Sequence, residues 1–303
     1  MAITTPKNPA IMLLAAKLET TNGTPISLAG TDADHVVYDF DFTPDDASLA
    51  RPMPAAMGQD TSVVGAQTGT VKFRIQLAGK GSVSAVPPWA DRFLPACGYT
   101  KSGSTFSRSG SAQTLTIAWY EDGLKNILYG AMGTFKISGT NGQPVDITFE
   151  FKGIYDGETD VAILTPTFPT VLPPIWVGST VSWGGVTPVL SKFEIDAGNQ
   201  LEMRPDAAAT WGFRCCWLPN HDPKLTIDPE ATAVATRDWV AIYRAMTVES
   251  ASISIGSASN NTITLATSAA QTQQPKRLVR NGLLAKSITA QLNTATPFSI
   301  AFA

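Results

Sequence analysis

The stretch Lys192–Asp206, KFEIDAGNQLEMRPD, has a counterpart 153 residues earlier in Asp39–Met53, DFDFTPDDASLARPM. Phe193 answers Phe40, Glu194 answers Asp41, Ile195 answers Phe42, and Arg204-Pro205 answers Arg51-Pro52. Farther on, Lys224–Ile227 (KLTI) answers Lys72–Ile75 (KFRI) at an offset of 152. The reading is one module written twice, each copy running strand, long loop, strand, short helix, then more strands.

Period-2 alternation carries the strand expectation. Tyr38, Phe40 and Phe42 share one face of VVYDFDF, with Asp39 and Asp41 on the other; VKFRIQL sets Val71, Phe73, Ile75 and Leu77 against Lys72, Arg74 and Gln76. TLTIAW aligns Leu115, Ile117 and Trp119, and VDITFEF aligns Val145, Ile147, Phe149 and Phe151. Such strands belong to antiparallel sheets with one wet face. Two segments read as helices: PPWADRFLPACG, with Trp89, Phe93 and Cys97 on one side after a proline start, and TRDWVAIYRAM, with Trp239, Ile242, Tyr243 and Met246. The fold expected is all-β with two short helices, as two similar β-sandwich or barrel modules: residues 1–164, then a proline-rich arm at 165–188, then residues 189–303.

The arm holds five prolines and three glycines between Thr165 and Pro188. Proline removes ladder donors and fixes extended backbone, so the segment reads as a crossing between modules, docked by Trp176 and Trp183. Two further connections, Ser48–Gln67 and Glu202–His221, read as long loops. Loops of that length are usually functional. Met53, Met57, Trp211, Phe213 and Trp217 make an odd set to leave in water, which predicts cover by a partner.

The chain has 303 residues, enough for two ordinary domains, of which only 16% are charged; 24 Gly and 21 Pro favour strands and turns over long helices. Net charge is -3, which gives no global basic field for nucleic acid and no polybasic arm for a membrane surface. The first 160 residues hold 12 Lys+Arg against 16 Asp+Glu, the remainder 10 against 9. The apolar run Ala10–Ala16 lacks a charged leader and reads as mature protein, and no window is long enough to span a membrane. Three cysteines, Cys97, Cys215 and Cys216, cannot make a disulfide framework, which fits a reducing compartment.

No nucleophile elbow, zinc-protease or phosphate-loop motif occurs, and the two histidines, His35 and His221, have no nucleophile motif nearby. The expectation is no catalytic residues, no cofactor and no metal. TDADH, Thr31–His35, with Asp39 and Asp41 offers oxygen and nitrogen ligands but lacks the central Gly and distal Glu of a calcium loop, so it reads as a solvated acidic turn. Cys215-Cys216 reads as a pair of small hydrophobes. The basic run PKRLVR, Pro275–Arg280, has no interleaved aromatics for stacking bases and reads as a strand edge guarded by cations.

AAKLETTNGTPISLAGTDA, PPWADRFLPACGY, YEDGLKNILYGAMGTFKI, ITFEFKGIYD and LTIDPEATAVATRDWVAIYRA, in this order, resemble the tail tube (major tail) proteins of long-tailed, non-contractile bacteriophages. The resemblance runs from about Ala15 to Leu292 and lies in order and phrasing, with no single diagnostic motif. It implies a structural virion protein, not an enzyme, whose subunits form rings with an inner β-barrel. The rings stack into the conduit for DNA ejection, and the tail is assembled in the host cytoplasm.

A duplicated chain supplies a pseudo-six-fold ring from a homotrimer. The partners implied are other copies of the chain, a tape measure protein, tail terminator and distal tail proteins, and DNA passing without specific binding; no membrane is implied. Arg51, Met53, Pro54 and Met57 are the candidate contacts between rings. Asp39, Asp41, Asp146 and Glu150 are the candidate lumen residues, unless they face outer solvent or pair with Lys72 and Arg74. The competing readings are a distal tail or adaptor protein that stops at one ring, and a two-domain carbohydrate-binding β-sandwich.

Overall fold

The computed structural model describes residues 6–54, 57–82 and 86–303. The first half of the chain contributes β1 (Met12–Leu18), β2 (Tyr38–Pro52), β3 (Gln59–Gln76), helix α1 (Pro88–Ala96), β4 (Tyr99–Ser102), β5 (Thr105–Arg108), β6 (Leu115–Glu121), β7 (Leu124–Thr140) and β8 (Asp146–Asp160). The second contributes β9 (Val181–Trp183), β10 (Lys192–Asp196), β11 (Glu202–Pro205), β12 (Phe213–Trp217), β13 (Lys224–Ile227), helix α2 (Trp239–Arg244), β14 (Val248–Ile255), β15 (Ile263–Thr272), β16 (Lys276–Arg280), β17 (Leu283–Leu292) and β18 (Ser299–Phe302). The chain is mainly β.

Strands β2, β3, β8 and β7 lie side by side in that order and are followed by β10, β13, β17 and β15, antiparallel throughout. Each group of four takes its first two strands from one long connection and its last two from the end of its half, so one order occurs twice. The layer above repeats as well: β1 and β6 stack onto the start of β7, and β9 and β14 onto β15. β7 belongs to both layers. It turns between them at Gly130, whose φ of +58° favours glycine and where a Cβ would stand 3.2 Å from the Cys215 Cα.

The halves share one hydrogen-bonded sheet. β10 pairs with β7 from Lys192↔Thr140 to Asp196↔Lys136, and β18 pairs with β5. At the β7–β10 seam the Phe193 ring lies over Gly139, where a Cβ would stand 2.3 Å from the ring. Trp176, in the crossing arm, packs edge-on against Phe193 at 4.8 Å, and its backbone N–H donates to the Gln143 carbonyl at 2.9 Å. The arm is not wholly irregular: Val181–Trp183 pairs with β14 because Trp183 is buried against Trp239 at 5.7 Å.

The alternation read from the sequence fixes the core face. Val71, Phe73, Ile75, Leu77, Ile147, Phe149 and Phe151 are buried under α1, whose Phe93 lies 5.2 Å from both Phe73 and Phe149. Each such aromatic contributes about 1.5–3 kcal/mol by leaving water. Two expectations differ. β6 is buried on both faces, because Leu13, Ala15, Ala33, Leu28 and Leu164 cover Ala118 and Tyr120. Helix α2 is one short segment: Asp238 caps it by accepting from the Val240 and Ala241 N–H groups, and the backbone reaches φ +52° at Met246. Met246 therefore leaves the face shared by Trp239, Ile242 and Tyr243 and is exposed.

Candidate assembly surfaces

The face of this eight-strand run opposite the core carries cross-strand rows of polar side chains. One row runs Asp41, Lys72, Glu150, Thr134. The next runs Arg74, Thr148, Lys136, Asp196, Lys224, Gln291, and a third runs Asp146, Ser138, Glu194, Thr226, Thr289. Opposite charges alternate along the first row and from Lys136 through Asp196 to Lys224 in the second, while the third carries only the acidic Asp146 and Glu194. Arg74 donates from Nε to Asp39 at 2.8 Å and from Nη1 to Asp146 at 2.7 Å. Lys136 lies 2.8 Å from Asp196, and Lys224 2.6 Å from Asp222. The hydrogen bond from Arg74 to Asp146 raises the Arg74 pKa, Asp196 raises that of Lys136, and Lys224 lowers that of Asp222.

All four lumen candidates lie on β2 and β8 of this face. Asp39 and Asp41 are exposed, whereas Asp146 and Glu150 are half-buried. Asp39 and Asp146 are tied to Arg74, and Glu150 stands opposite Lys72. The sequence reading missed the second half's share, Lys192, Glu194, Asp196 and Lys224. The alternation within KFEID was the available signal.

Ser48–Gln67 is a paired arm and not an irregular loop. The β2–β3 ladder extends through Arg51↔Asp60 and Pro52↔Gln59, with register shifts near Asp46 and Leu49. From Thr43 to Pro52 every residue of β2 is exposed, so this part of the arm has no core beneath it. Arg51 sits 3.8 Å from Asp60. Met53, Pro54 and Met57 cluster at the exposed tip, and Leu49, Val63 and Val64 leave more apolar surface along the arm. Its base is braced by the Gln67 N–H, which donates to the Trp211 carbonyl at 3.3 Å.

Glu202–His221 takes a different path. It forms the β11–β12 hairpin, which folds back onto β7 and β8 of the first half. Trp211 donates from Nε1 to Asp156 at 2.9 Å, and Cys215 and Cys216 are buried. The first half of the same chain therefore does for Trp211 and Phe213, both half-buried, what a partner was expected to do; Trp217 stays 49% exposed. Burial pushes the Cys216 thiol up to about 12 and raises Cys97 and Cys215. All three cysteines are small hydrophobes with their protons on.

The turn Thr31–His35 is a structural knot rather than a solvated one. Asp32 is buried and accepts from the Ala29 N–H, and Asp34 is paired with Arg92. His35 is buried edge-on to Phe93 at 5.0 Å. Its Nδ1 lies 3.8 Å from Asp34, and neither ring nitrogen has a hydrogen-bond partner. Burial lowers the His35 pKa. Burial alone would raise Asp34, but His35 and Arg92 outweigh it and hold Asp34 at about 2. PKRLVR contains β16, which among the described residues pairs with β17 alone. Its Arg280 is committed to Asp228 and Glu230, while Lys276 and Arg277 are exposed.

Among the described residues no group of three or more His, Cys, Asp or Glu side chains is placed to hold a metal ion, and no helix is long and apolar enough to cross a membrane. No protein-family model matches the chain, and no curated protein matches it.

Proposed function

We propose that the chain is a structural subunit of a bacteriophage tail tube, in which copies close into rings and rings stack around a channel that conducts DNA. The observation that carries this reading is the run of eight strands within the sixteen-stranded sheet, with one order of four strands occurring twice across the β7–β10 seam. Two equivalent groups in one chain let three copies supply six positions, giving a homotrimeric ring of pseudo-six-fold symmetry. The polar face suits a DNA conduit: Asp39, Asp41, Asp146, Glu150, Glu194 and Asp196 are interleaved with Lys72, Arg74, Lys136, Lys192 and Lys224. A purely cationic wall would hold the duplex through counterion release, whereas interleaved signs let it slide. The exposed β2–β3 arm, with Arg51, Met53, Pro54 and Met57 at its end, is the contact from ring to ring. Tape measure, terminator and distal tail proteins are the further partners of such a tube in the virion tail.

Negative-stain microscopy of the concentrated protein tests the reading. Tubes with three chains per ring are expected. Single rings that never stack would favour a terminal adaptor, and a protein monomeric at all concentrations would overturn the proposal.

A further inference from the structure

The eight-strand run begins on β2, and β16 flanks β17 beyond the far end of the run. Among the described residues β2 pairs with β3 alone and β16 with β17 alone. Such edges present unpaired N–H and C=O groups. Their charges are opposite: β2 carries Asp39, Asp41, Asp45 and Asp46 before its first cation, and β16 carries Lys276 and Arg277 exposed.

An open depression accompanies each edge. Beside β2, one of about 410 Å³ has an aromatic floor of Phe40, Phe42, Trp119 and Tyr155 and a rim of Asp41, Glu121 and Glu158. Beside β16, one of about 260 Å³ is lined by Val240, Leu284, Lys276, Arg277 and Lys286. Aromatic faces and carboxylates receive cations and their aliphatic stems.

The chain already contains one seam of this kind. Within it β10 pairs with β7, and Asp196 meets Lys136 across the junction. In the repeated order β2 holds the place of β10, and β15 with β16 holds the place of β7. β15 lies between β14 and β17 as β7 lies between β6 and β8. Beyond Pro275, β16 continues along β17 to an Asn281-Gly282 turn, as β7 continues along β8 toward Asn141-Gly142.

The geometry points to antiparallel pairing of β16 in one copy with β2 in the next, repeating between copies the β7–β10 junction within each chain. Lys276 and Arg277 are then set against Asp41 and the Glu121–Glu158 rim. The pairing is heterologous and so builds rings or open chains of copies. It deepens the tube reading and rests on it for ring closure and stacking.

Charge reversal at the exposed positions tests the pairing, with sedimentation velocity and negative-stain microscopy for assembly and circular dichroism for folding. The pair K276E/R277E and the pair D41K/E158K should each leave a folded protein needing at least about tenfold more protein to assemble. The chain carrying all four substitutions should assemble within about threefold of the wild-type concentration, because both edges are reversed together. Assembly of either pair at the wild-type concentration, or failure of the four-fold variant beside an assembling wild type, overturns the pairing and leaves the tube reading standing. Rings that obey the charge swap but never stack keep the pairing and overturn the tube. A wild-type chain that stays monomeric overturns both.

Discussion

Lys136 Nζ lies 2.8 Å from Asp196 Oδ2, and this ion pair crosses the seam between the two halves of the chain. Lys136 is more than half exposed, so the pair marks register more than it stabilises. Lys136→Ala should lower unfolding free energy by only about 0.5 kcal/mol in low salt and by less in concentrated salt, read from urea melts at two ionic strengths.

Glu19 presents the opposite case. Its buried carboxylate accepts from the Gly23 and Gly130 N–H groups and from the Thr116 hydroxyl at 2.7–2.9 Å, and the Thr114 hydroxyl donates at 2.5 Å. Glu19→Ala would leave several buried donors unsatisfied together. A loss of about 3 kcal/mol in chemical denaturation is expected; a change below about 1 kcal/mol would mean that water replaces the carboxylate.

His35 sets a pH dependence. Burial lowers its pKa in the folded chain below the ordinary 6.5, so the unfolded chain binds the proton first as pH falls. Stability is present above pH 6.5 and is lost below it, until the folded histidine also titrates. The Asp34 carboxyl, held at about 2, adds its own loss only below its ordinary value of 3.8. Between pH 6.5 and 4.5 wild type should therefore lose up to about 1.4 kcal/mol per pH unit more than His35→Leu, measured by urea unfolding across that range. Parallel curves for the two proteins would refute this assignment.

The arm is separable from the body. Replacing Leu49–Val63 by Asn-Gly joins Ser48 to Val64, which already face each other, through a two-residue hairpin turn. The described residues of the deleted stretch are exposed apart from the half-buried Asp60, so the melting temperature should stay within about 2 °C of wild type. Rings should form and fail to stack. Tubes of normal length from the shortened chain would remove the arm from the axial contact.

The strands that line the core were legible because one face of each is buried. Val71, Phe73 and Ile75 against Lys72 and Arg74 is a pattern that burial imposes, and the 153-residue echo between Phe40 and Phe193 pointed to two strands with the same place in the order. The arm was not legible. Thr43–Pro52 is exposed on both faces, and a strand with no buried side has no alternation to display. The return of β11–β12 onto the first half was hidden for another reason: contacts such as Trp211 with Asp156 join residues far apart in sequence and leave no local period. The charged face was half legible, because the spacing in KFEID reveals an alternating strand but not that β7 is its neighbour.

The crossing arm between β8 and β10 makes the β7–β10 seam a first-order event. Its two edges are tethered through one polypeptide, so their effective concentration is set by the length and stiffness of that tether, on the order of millimolar for short flexible links. Closure of the seam has a half-life that does not depend on how many other molecules are present. Dilution, which separates independent molecules, leaves it closed.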